Sequence, residues 1–316
     1  MTMFCCACVL VLFRAFNFPV FSYRIHGASP FMQTILLDDV LINGRHYRIE
    51  DVVRREYDGS FFIQRVLKLT DIGPFAVASM VLEIPPEKQS AAELDTSLLM
   101  LNHSKILIPY TQAMAAAPFA LEAVQLEKND KVWNILDIGL GTGILNSFLH
   151  DVFNNMNITV VELEQGIYEI AKRYFGLIED NSQRVIIEDG MRYLQKAASQ
   201  LKFDVIFIDA CYDRIVNELM CPVEAFALKE NLEIIKQALT KTGVVVLSAL
   251  IFEEYKFRQV QKNYTIVFGS CHVIADSLNL NNVLVCGEFE KNKEKFARKL
   301  KEIYKKFEFY SEPNIE

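Results

Sequence analysis

Short apolar runs alternate with helical stretches after Lys131, and this alternation limits the possible folds more than any other feature of the sequence. Each run has the length of one buried strand, and segments with helical periodicity separate the runs. They occupy residues 133–138, 158–161, 185–187, 205–208, 244–247, 264–268 and 283–285. The alternation predicts a doubly wound, mostly parallel α/β sheet of seven strands, of which the last is antiparallel.

A turn with three closely spaced glycines follows the first of these runs. In "ILDIGLGTGILNSFL", Gly139, Gly141 and Gly143 stand between the predicted strand and a predicted helix. Glycine permits a tight turn and close approach of a ligand, and the first turn of a helix offers N–H groups. No Lys follows as in a phosphate-binding P-loop, and Ile144 stands where a dinucleotide fingerprint needs its third glycine. The spacing fits the nucleoside end of S-adenosylmethionine, or a turn that only packs a helix on a strand.

Acidic side chains end three later strands of the predicted sheet. Glu162, Asp189 and Asp209 lie at carboxyl ends of strands, where ligands bind in open parallel sheets. Glu162 stands about 20 residues past the glycine turn and can accept both ribose hydroxyls, with Glu164 as the alternative. Asp189 can accept a hydrogen bond from the adenine amine, with Met191 against the ring. The alternative for each carboxylate is that it only caps the next helix.

These motifs resemble a known family. The segments "LDIGLGTG", "VVELE", "IIEDGMRYL" and "FDVIFIDA" resemble the spermidine synthase-like branch of the class I S-adenosylmethionine-dependent methyltransferases. Within that branch, "CPVEAFALKENLEIIKQALTKTGVVVLSAL" and "LDTSLLMLNHSKILIPYTQAM" are similar to the C-terminal domain of enzymes that methylate lysine and the N-terminus of translation elongation factor one-alpha. The resemblance covers residues 90–290 and implies a Rossmann-like methyltransferase sheet.

The resemblance also implies S-adenosyl-L-methionine as the cofactor. It assigns the glycine turn to cofactor contact, Glu162 to the ribose and Asp189 to the adenine. The implied cofactor-binding residues are Gly139, Gly141, Thr142, Gly143, Glu162, Asp189, Gly190 and Met191. No metal is expected, because no cysteine or histidine grouping has zinc-ligand spacing.

Asp209 is predicted to contact the acceptor amine, either by orienting it or by accepting its proton. In the related aminopropyltransferases the turn reads G-G-G-D-G-G, and its aspartate holds the amine of decarboxylated S-adenosylmethionine. Thr142 occupies that place here, and Asp209 and Asp213 are four residues apart where that family has three. We therefore predict methyl transfer to a lysine or N-terminal amine of a protein. Aminopropyl transfer is the alternative, and a non-catalytic protein of this fold is a second alternative.

The parts that precede the main sheet have their own patterns. Residues 1–33 form an apolar segment that predicts either disorder or a signal-like segment. Residues 34–86 predict a small antiparallel β unit with an Asp58-Gly59 hairpin turn. Residues 87–128 carry helical patterning and lead into the methyltransferase domain, which is predicted over 87–290.

Residues 291–316 predict a basic helix and tail. One helical face carries Phe296, Leu300, Ile303, Tyr304 and Phe307, and eight Lys and Arg side chains cover the rest. The helix either packs its apolar face on the sheet or binds an acidic partner.

Charge and cysteine usage limit the partners and the compartment. The formal net charge of −7 argues against a nucleic-acid partner, and the acidic strand ends suit a cationic acceptor. Seven cysteines are an odd number, and they predict reduced thiols in a cytoplasmic protein. No stable membrane span is expected, because no apolar run reaches about 20 residues. A homodimer is a further expectation.

Overall fold

Two β-sheets organise the computed structural model, which describes residues 31–55, 60–70, 76–86, 94–126, 130–275 and 281–315. Residues 1–30 and the predicted Asp58-Gly59 turn lie outside the described residues.

The first sheet contains five antiparallel strands in the order in which they follow along the chain. They are β1 (Phe31–Ile42), β2 (Arg45–Arg55), β3 (Phe61–Leu69), β4 (Ala76–Leu82) and β5 (Leu101–Asn102). β1 and β2 are joined at Asn43 and Gly44, which both have positive φ, so the chain reverses in a tight hairpin. The predicted antiparallel β unit is therefore present, and β5 extends its sheet past residue 86.

The second sheet contains eight strands in the order β13-β11-β12-β10-β9-β6-β7-β8. They are β6 (Trp133–Ile138), β7 (Met156–Glu162), β8 (Gln183–Ile187), β9 (Phe203–Ile208), β10 (Leu239–Leu250), β11 (Ser270–Ala275), β12 (Asn281–Gly287) and β13 (Asn314–Ile315). The five strands β6 to β10 pair in parallel, and β12 pairs antiparallel with both β10 and β11. The predicted doubly wound sheet is confirmed, with a two-residue eighth strand at its edge.

Seven α-helices lie in the described part of the chain. They are α1 (Pro109–Ala120), α2 (Ile144–Val152), α3 (Gln165–Tyr174), α4 (Gly190–Ala197), α5 (Lys229–Ala238), α6 (Glu254–Phe268) and α7 (Lys293–Lys306). Helices α2, α3, α4, α5 and α6 follow successive strands of the second sheet, as the alternating pattern predicts. None of the helices in the described ranges is both long and apolar enough to cross a membrane.

The strand prediction for residues 264–268 is wrong, because this run forms the last turns of α6. Phe257, Val260, Tyr264, Val267 and Phe268 are the buried residues of the helix, and they follow a helical period. A short apolar run does not distinguish a strand from the end of a buried helix by itself. Strand β11 begins two residues later, at Ser270.

The helical prediction is also wrong for most of residues 94–108. A short 3₁₀ turn (Thr96–Leu98) and β5 occupy this stretch, and α1 begins only at Pro109. The Asp95 carboxylate accepts from the Ser97 N–H, and the Asn102 side chain accepts from the Ser104 N–H. Such local side-chain bonds compete with helical backbone bonds, so the stretch forms turns.

Among the described residues, one of three buried hydrophobic clusters contains side chains of both sheets. Ile49, Leu67 and Met80 of the first sheet belong to the same buried cluster as Phe148 of α2 and Val160 of β7. Helix α7 also joins this cluster through Phe296, Leu300, Ile303 and Tyr304, so its apolar face packs on the body of the protein.

Four of the seven cysteines are paired, which makes the prediction of reduced thiols wrong for these positions. Cys271 and Cys286 face each other across β11 and β12 and form one disulfide. Cys211 and Cys221 form the other, because the chain doubles back after β9. Neither spacing is informative in the sequence, since the tertiary fold alone sets the distance between these residues.

Candidate active site

The predicted site residues gather at the carboxyl ends of β6, β7, β8 and β9. The chain passes from β6 outward to β7 and β8, and then returns to the other side of β6 with β9. This reversal of strand order opens a crevice at the end of β6, where open α/β sheets bind their ligands.

The three glycines of the turn after β6 have different roles. A Cβ on Gly139 would lie 2.5 Å from the Asp209 carbonyl oxygen, so this glycine lets β6 approach the end of β9. A Cβ on Gly141 would meet nothing within 4 Å, so this glycine faces open space. Gly143 adopts the left-handed conformation that precedes the first residue of α2. Packing therefore explains Gly139, whereas Gly141 leaves room for a ligand.

The Glu162 carboxylate is fixed at the end of β7 by two backbone donors. Leu140 N–H donates to Oε2 at 2.9 Å, and Glu164 N–H donates to Oε1 at 2.8 Å. The side chain is only 8% exposed, and burial raises the pKa of its carboxyl, an effect that these backbone hydrogen bonds partly offset. The backbone N–H groups of Leu163 and Gly141 also lower the pKa of this carboxyl, so main-chain donors surround it, and the ribose contact stays a prediction.

Three buried side chains near the turn each have a polar atom with no hydrogen-bond partner among the described residues. They are Thr142 and Asp137, each 2% exposed, and Ser147 in the first turn of α2, which is 3% exposed. Burial raises the pKa of Asp137 well above its ordinary value, and the charges of Asp209 and Glu162 add to this shift. Buried polar groups are normally hydrogen-bonded, so these unpartnered protein atoms fit a site for a polar ligand.

Asp189, Gly190 and Met191, which follow β8, cap helix α4 and pack it on the sheet. Asp189 caps α4 by accepting a hydrogen bond from Arg192 N–H at 2.9 Å. A Cβ on Gly190 would lie 2.5 Å from Ile138 Cγ2, so this glycine permits close packing of α4 on β6. Met191 is buried in the core cluster that contains Ile138. Capping through one carboxylate oxygen leaves the other oxygen of Asp189 as a possible ligand contact.

Asp209 lies at the end of β9 and is contacted by Tyr110 of α1. The Tyr110 hydroxyl donates to Asp209 Oδ2 at 3.2 Å. Burial raises the pKa of the Asp209 carboxyl, while hydrogen bonds from Ser248 and Tyr110 partly offset the shift. Burial, followed by the neighbouring Asp209 charge, raises the pKa of Tyr110 well above its ordinary value. Both side chains are half-buried, and the raised pKa of Asp209 makes its carboxylate a stronger proton acceptor for a bound amine.

The β1–β2 hairpin of the first sheet reaches the same site. Asn43 donates to the Glu164 carboxylate, and Arg45 Nε donates to Asp213 Oδ2 at 2.8 Å. Burial raises the pKa of Tyr47, and the charges of Asp213, Glu164 and Glu162 raise it further. The hairpin therefore covers one side of the crevice.

Sequence reasoning missed Tyr110, Arg45 and Asp137 as site residues. Tyr110 and Arg45 come from outside the alternating region and reach the site only through tertiary contacts. The sequence did indicate Asp137, because burying a carboxylate inside the apolar strand "WNILDI" is costly and therefore points to a function for it.

The strand order and the strand-end crevice define a class of protein, the class I methyltransferase-like fold. The chain matches solved structures of this class. Human methyltransferase-like protein 13 in complex with SAH aligns with a TM-score of 0.56 at 24% identity, covering 64% of this chain and 93% of that chain. A probable spermidine synthase from Corynebacterium glutamicum aligns with a TM-score of 0.59 at 14% identity, covering 88% and 95%. The second alignment extends further over the chain than the first.

Residues 120–278 match the spermine/spermidine synthase domain family, and the chain belongs to this family. Among curated relatives, the eEF1A lysine and N-terminal methyltransferase homolog of Drosophila melanogaster is 28% identical over 171 residues. This alignment covers 54% of this chain and 25% of the relative, so the chain spans about a quarter of that protein's length.

Proposed function

We propose that this protein is an S-adenosylmethionine-dependent methyltransferase that acts on an amine of a protein. The observation that carries the proposal is Thr142, a buried neutral residue in the glycine turn whose hydroxyl has no partner among the described residues. Aminopropyl transfer needs a carboxylate at this place to hold the amine of the decarboxylated cofactor. A neutral hydroxyl beside the start of a helix suits the carboxylate of the intact cofactor instead.

The residues of the crevice fit S-adenosylmethionine. Gly141 leaves space against the backbone, and Thr142 and Asp137 supply unpartnered polar atoms. We assign Glu162 to the ribose hydroxyls, since its carboxylate is already oriented by two backbone donors. Asp189 and Met191 are assigned to the adenine, and the N–H groups after Gly143 to the carboxylate of the cofactor. Gly139 and Gly190 support the site by permitting close packing.

The cofactor supplies an electrophilic methyl group, and this chain's residues have to position the amine and manage its proton. Asp209 can accept a hydrogen bond from the acceptor nitrogen, which orients its lone pair toward the methyl group. Tyr110 donates to Oδ2 of Asp209 and Ser248 also hydrogen-bonds this carboxylate, so we assign a remaining lone pair of the carboxylate to the amine or to its proton. Burial raises the pKa of Asp209, which makes this carboxylate a stronger base than an exposed one.

Two observations support an amine as the methyl acceptor: the acidic lining of the crevice and the printed name of a relative. The printed name of the Drosophila relative describes a lysine and N-terminal methyltransferase, and both of these acceptors are amines. Asp137, Glu162 and Asp209 give the crevice an acidic lining, which favours a cationic group on approach. We infer that a lysine or N-terminal amine of a protein is the acceptor.

Competition between two cofactors tests the assignment. S-adenosylmethionine and its decarboxylated form are titrated against the wild type, Thr142→Asp and the uncharged control Thr142→Val. We expect the wild type to bind the intact form several-fold tighter, and Thr142→Asp alone to narrow or reverse the difference. Tighter binding of the decarboxylated form by the wild type, or spermidine production from putrescine, would favour the aminopropyl alternative.

Transfer itself is tested with labelled S-adenosylmethionine and a cell lysate, followed by identification of the labelled protein. We expect Asp209→Asn to abolish labelling while cofactor binding persists. Tight binding of the cofactor with no labelled protein would instead support the non-catalytic alternative.

A further inference from the structure

We propose that Asp209, Cys211 and Cys221 bind a zinc-type metal ion when the Cys211–Cys221 disulfide is reduced. Each residue brings one potential ligand atom to within 4.8 Å of the other two. The inference concerns a binding event that goes beyond the proposed methyl transfer and is measured separately from it.

The donor set selects the metal. Two thiolates and one carboxylate suit Zn²⁺ and similar borderline ions, whereas Mg²⁺ and Ca²⁺ prefer oxygen ligands alone. Three protein ligands leave the fourth tetrahedral position for water. Binding forms two metal–sulfur bonds and releases the two thiol protons. The disulfide has no thiolate to offer, so a dithiol or phosphine reductant must first convert it to two thiols.

The arrangement holds two ligands firmly and leaves the third adjustable. Cys221 is 5% exposed, and its N–H donates to the Leu250 carbonyl oxygen at 3.1 Å. The Tyr110 contact engages Oδ2 of Asp209, while Oδ1 lies 3.8 Å from Cys211 Sγ. Cys211 is exposed at the start of the loop after β9. Its sulfur can therefore move to the separation of about 3.7 Å that two tetrahedral zinc thiolates need.

The second cysteine pair provides a matched control. Cys271 and Cys286 are buried in neighbouring strands of the sheet. In the described ranges, no histidine or acidic side chain completes a three-ligand group with this pair. Reduction of Cys271 and Cys286 therefore yields two thiols without a third ligand.

A metal ion at this site would occupy the carboxylate that we assign to the acceptor amine. Methyl transfer by the reduced protein should then fall as Zn²⁺ is added, a consequence that rests on the proposed function. Metal binding itself needs neither cofactor nor acceptor, so it can succeed or fail independently of the methyltransferase assignment.

Cobalt titration of the reduced protein tests the proposal. Cys5, Cys6 and Cys8 are replaced by Ser in every sample, because their thiols would also bind the metal. Under anaerobic conditions we expect one Co²⁺ per chain, a thiolate-to-cobalt charge-transfer band and displacement by Zn²⁺. The control C271S/C286S should retain the band, and C211S/C221S should lose it. Asp209→Asn should keep the band but weaken binding at least about tenfold, since even indirect partners of a metal are worth this much.

Several outcomes would overturn the site. The first is no charge-transfer band in the reduced protein, and the second is a band that persists in C211S/C221S. Unchanged affinity in Asp209→Asn would remove the carboxylate from the ligand set. If C211S/C221S fails to fold, native alkylation of the exposed Cys211 thiol in the reduced protein replaces it, and retention of the band after alkylation also contradicts the proposal.

Discussion

At the scale of single residues, Glu162 shows how the backbone prepares a ligand contact. Leu140 and Glu164 N–H groups hold its two carboxylate oxygens at 2.9 and 2.8 Å, so the side chain needs no rearrangement when a ligand arrives. Preorganisation of this kind reduces the entropy that binding has to overcome.

Glu162→Gln is expected to weaken S-adenosylmethionine binding at least about tenfold, because a hydrogen bond to a charged group contributes about 1.5–3 kcal/mol. The amide also presents an NH₂ group to backbone N–H donors. Calorimetry measures the affinity, and Glu164→Gln is the control because Glu164 contacts the Asn43 side chain. A larger loss in Glu164→Gln than in Glu162→Gln would move the ribose contact to Glu164.

Gly141→Ala is expected mainly to impair cofactor binding, whereas Gly139→Ala is expected mainly to destabilise the fold. The Gly141 methyl enters open space at φ 53°, so it costs about 1–2 kcal/mol of stability and obstructs the cofactor. The Gly139 methyl would lie 2.5 Å from the Asp209 carbonyl oxygen and should destabilise the fold more strongly. Thermal unfolding and cofactor titration together separate the two effects. If Gly141→Ala unfolds as readily as Gly139→Ala, the turn only packs the helix.

At the scale of elements, a buried arginine joins the first sheet to the rest of the protein. Arg65 of β3 makes a bidentate pair with Asp51 of β2 at 2.8 and 2.9 Å. The same guanidinium donates to the carbonyl oxygens of Tyr174 and Thr96, each at 3.0 Å. One side chain therefore connects a strand of the first sheet to the end of α3 and to the 3₁₀ turn.

Arg65→Met is expected to lower the free energy of unfolding by about 3–5 kcal/mol, because it leaves the Asp51 charge buried without a partner. Lys105→Met is the control, since it removes an exposed ion pair with Glu308 and should cost no more than about 1 kcal/mol. Urea unfolding measures both. Equal losses would show that the Arg65 network contributes nothing beyond a surface pair.

His272 links strand β11 to helix α7 and should make stability depend on pH. Its ring stacks on Phe289 and Phe296 with centroids 5.3 and 4.3 Å away, and it is 1% exposed. Burial, with a smaller effect from the Lys291 charge, lowers the pKa of His272 to about 4. The folded state therefore favours the neutral ring, and this contribution is complete above the unfolded pKa of about 6.5.

Stability should fall as the pH decreases from about 6.5 to about 4, because only the unfolded chain binds the proton in this window. We expect His272→Phe to reduce the difference in unfolding free energy between pH 7.5 and pH 4.5 by about 2–3 kcal/mol relative to wild type. Urea unfolding at both values measures this difference, and carboxylate titration cancels in the comparison. An identical pH dependence in both proteins would contradict the assignment.

At the scale of the whole molecule, the two sheets should behave as one cooperative unit. Residues 34–86, 87–290 and 291–316 remain the proposed sequence divisions, yet Ile49 and Phe148 belong to one buried cluster. A smaller cluster of Val53, Ile63 and Leu82 belongs to the first sheet alone, but the shared cluster couples the unfolding of the two sheets.

We expect far-UV and near-UV circular dichroism to report a single thermal transition with the same midpoint. S-adenosylmethionine should raise this midpoint in both signals together, because binding to the folded state stabilises the whole unit. Two separate transitions, or a shift confined to one signal, would show that the first sheet unfolds independently.

The sequence by itself determined the main sheet and the positions of its strand ends. Local periodicity carries this information, since buried parallel strands need apolar runs and the glycine turn has a signature within five residues. Periodicity failed at residues 264–268, where the end of a buried helix and a buried strand are equally apolar. It also failed at residues 94–108, where side-chain capping decides the backbone conformation.

Only the tertiary structure brought Tyr110, Arg45 and the Cys211–Cys221 pair to the crevice at the end of β9. Tyr110 meets Asp209 across 99 residues of sequence, and Arg45 meets Asp213 across 168. No local pattern encodes such contacts, because they arise when the first sheet and α1 pack on the second sheet to bury a common apolar surface. The amino-acid sequence predicts where the strands end, but tertiary packing decides which side chains from other elements lie next to those ends.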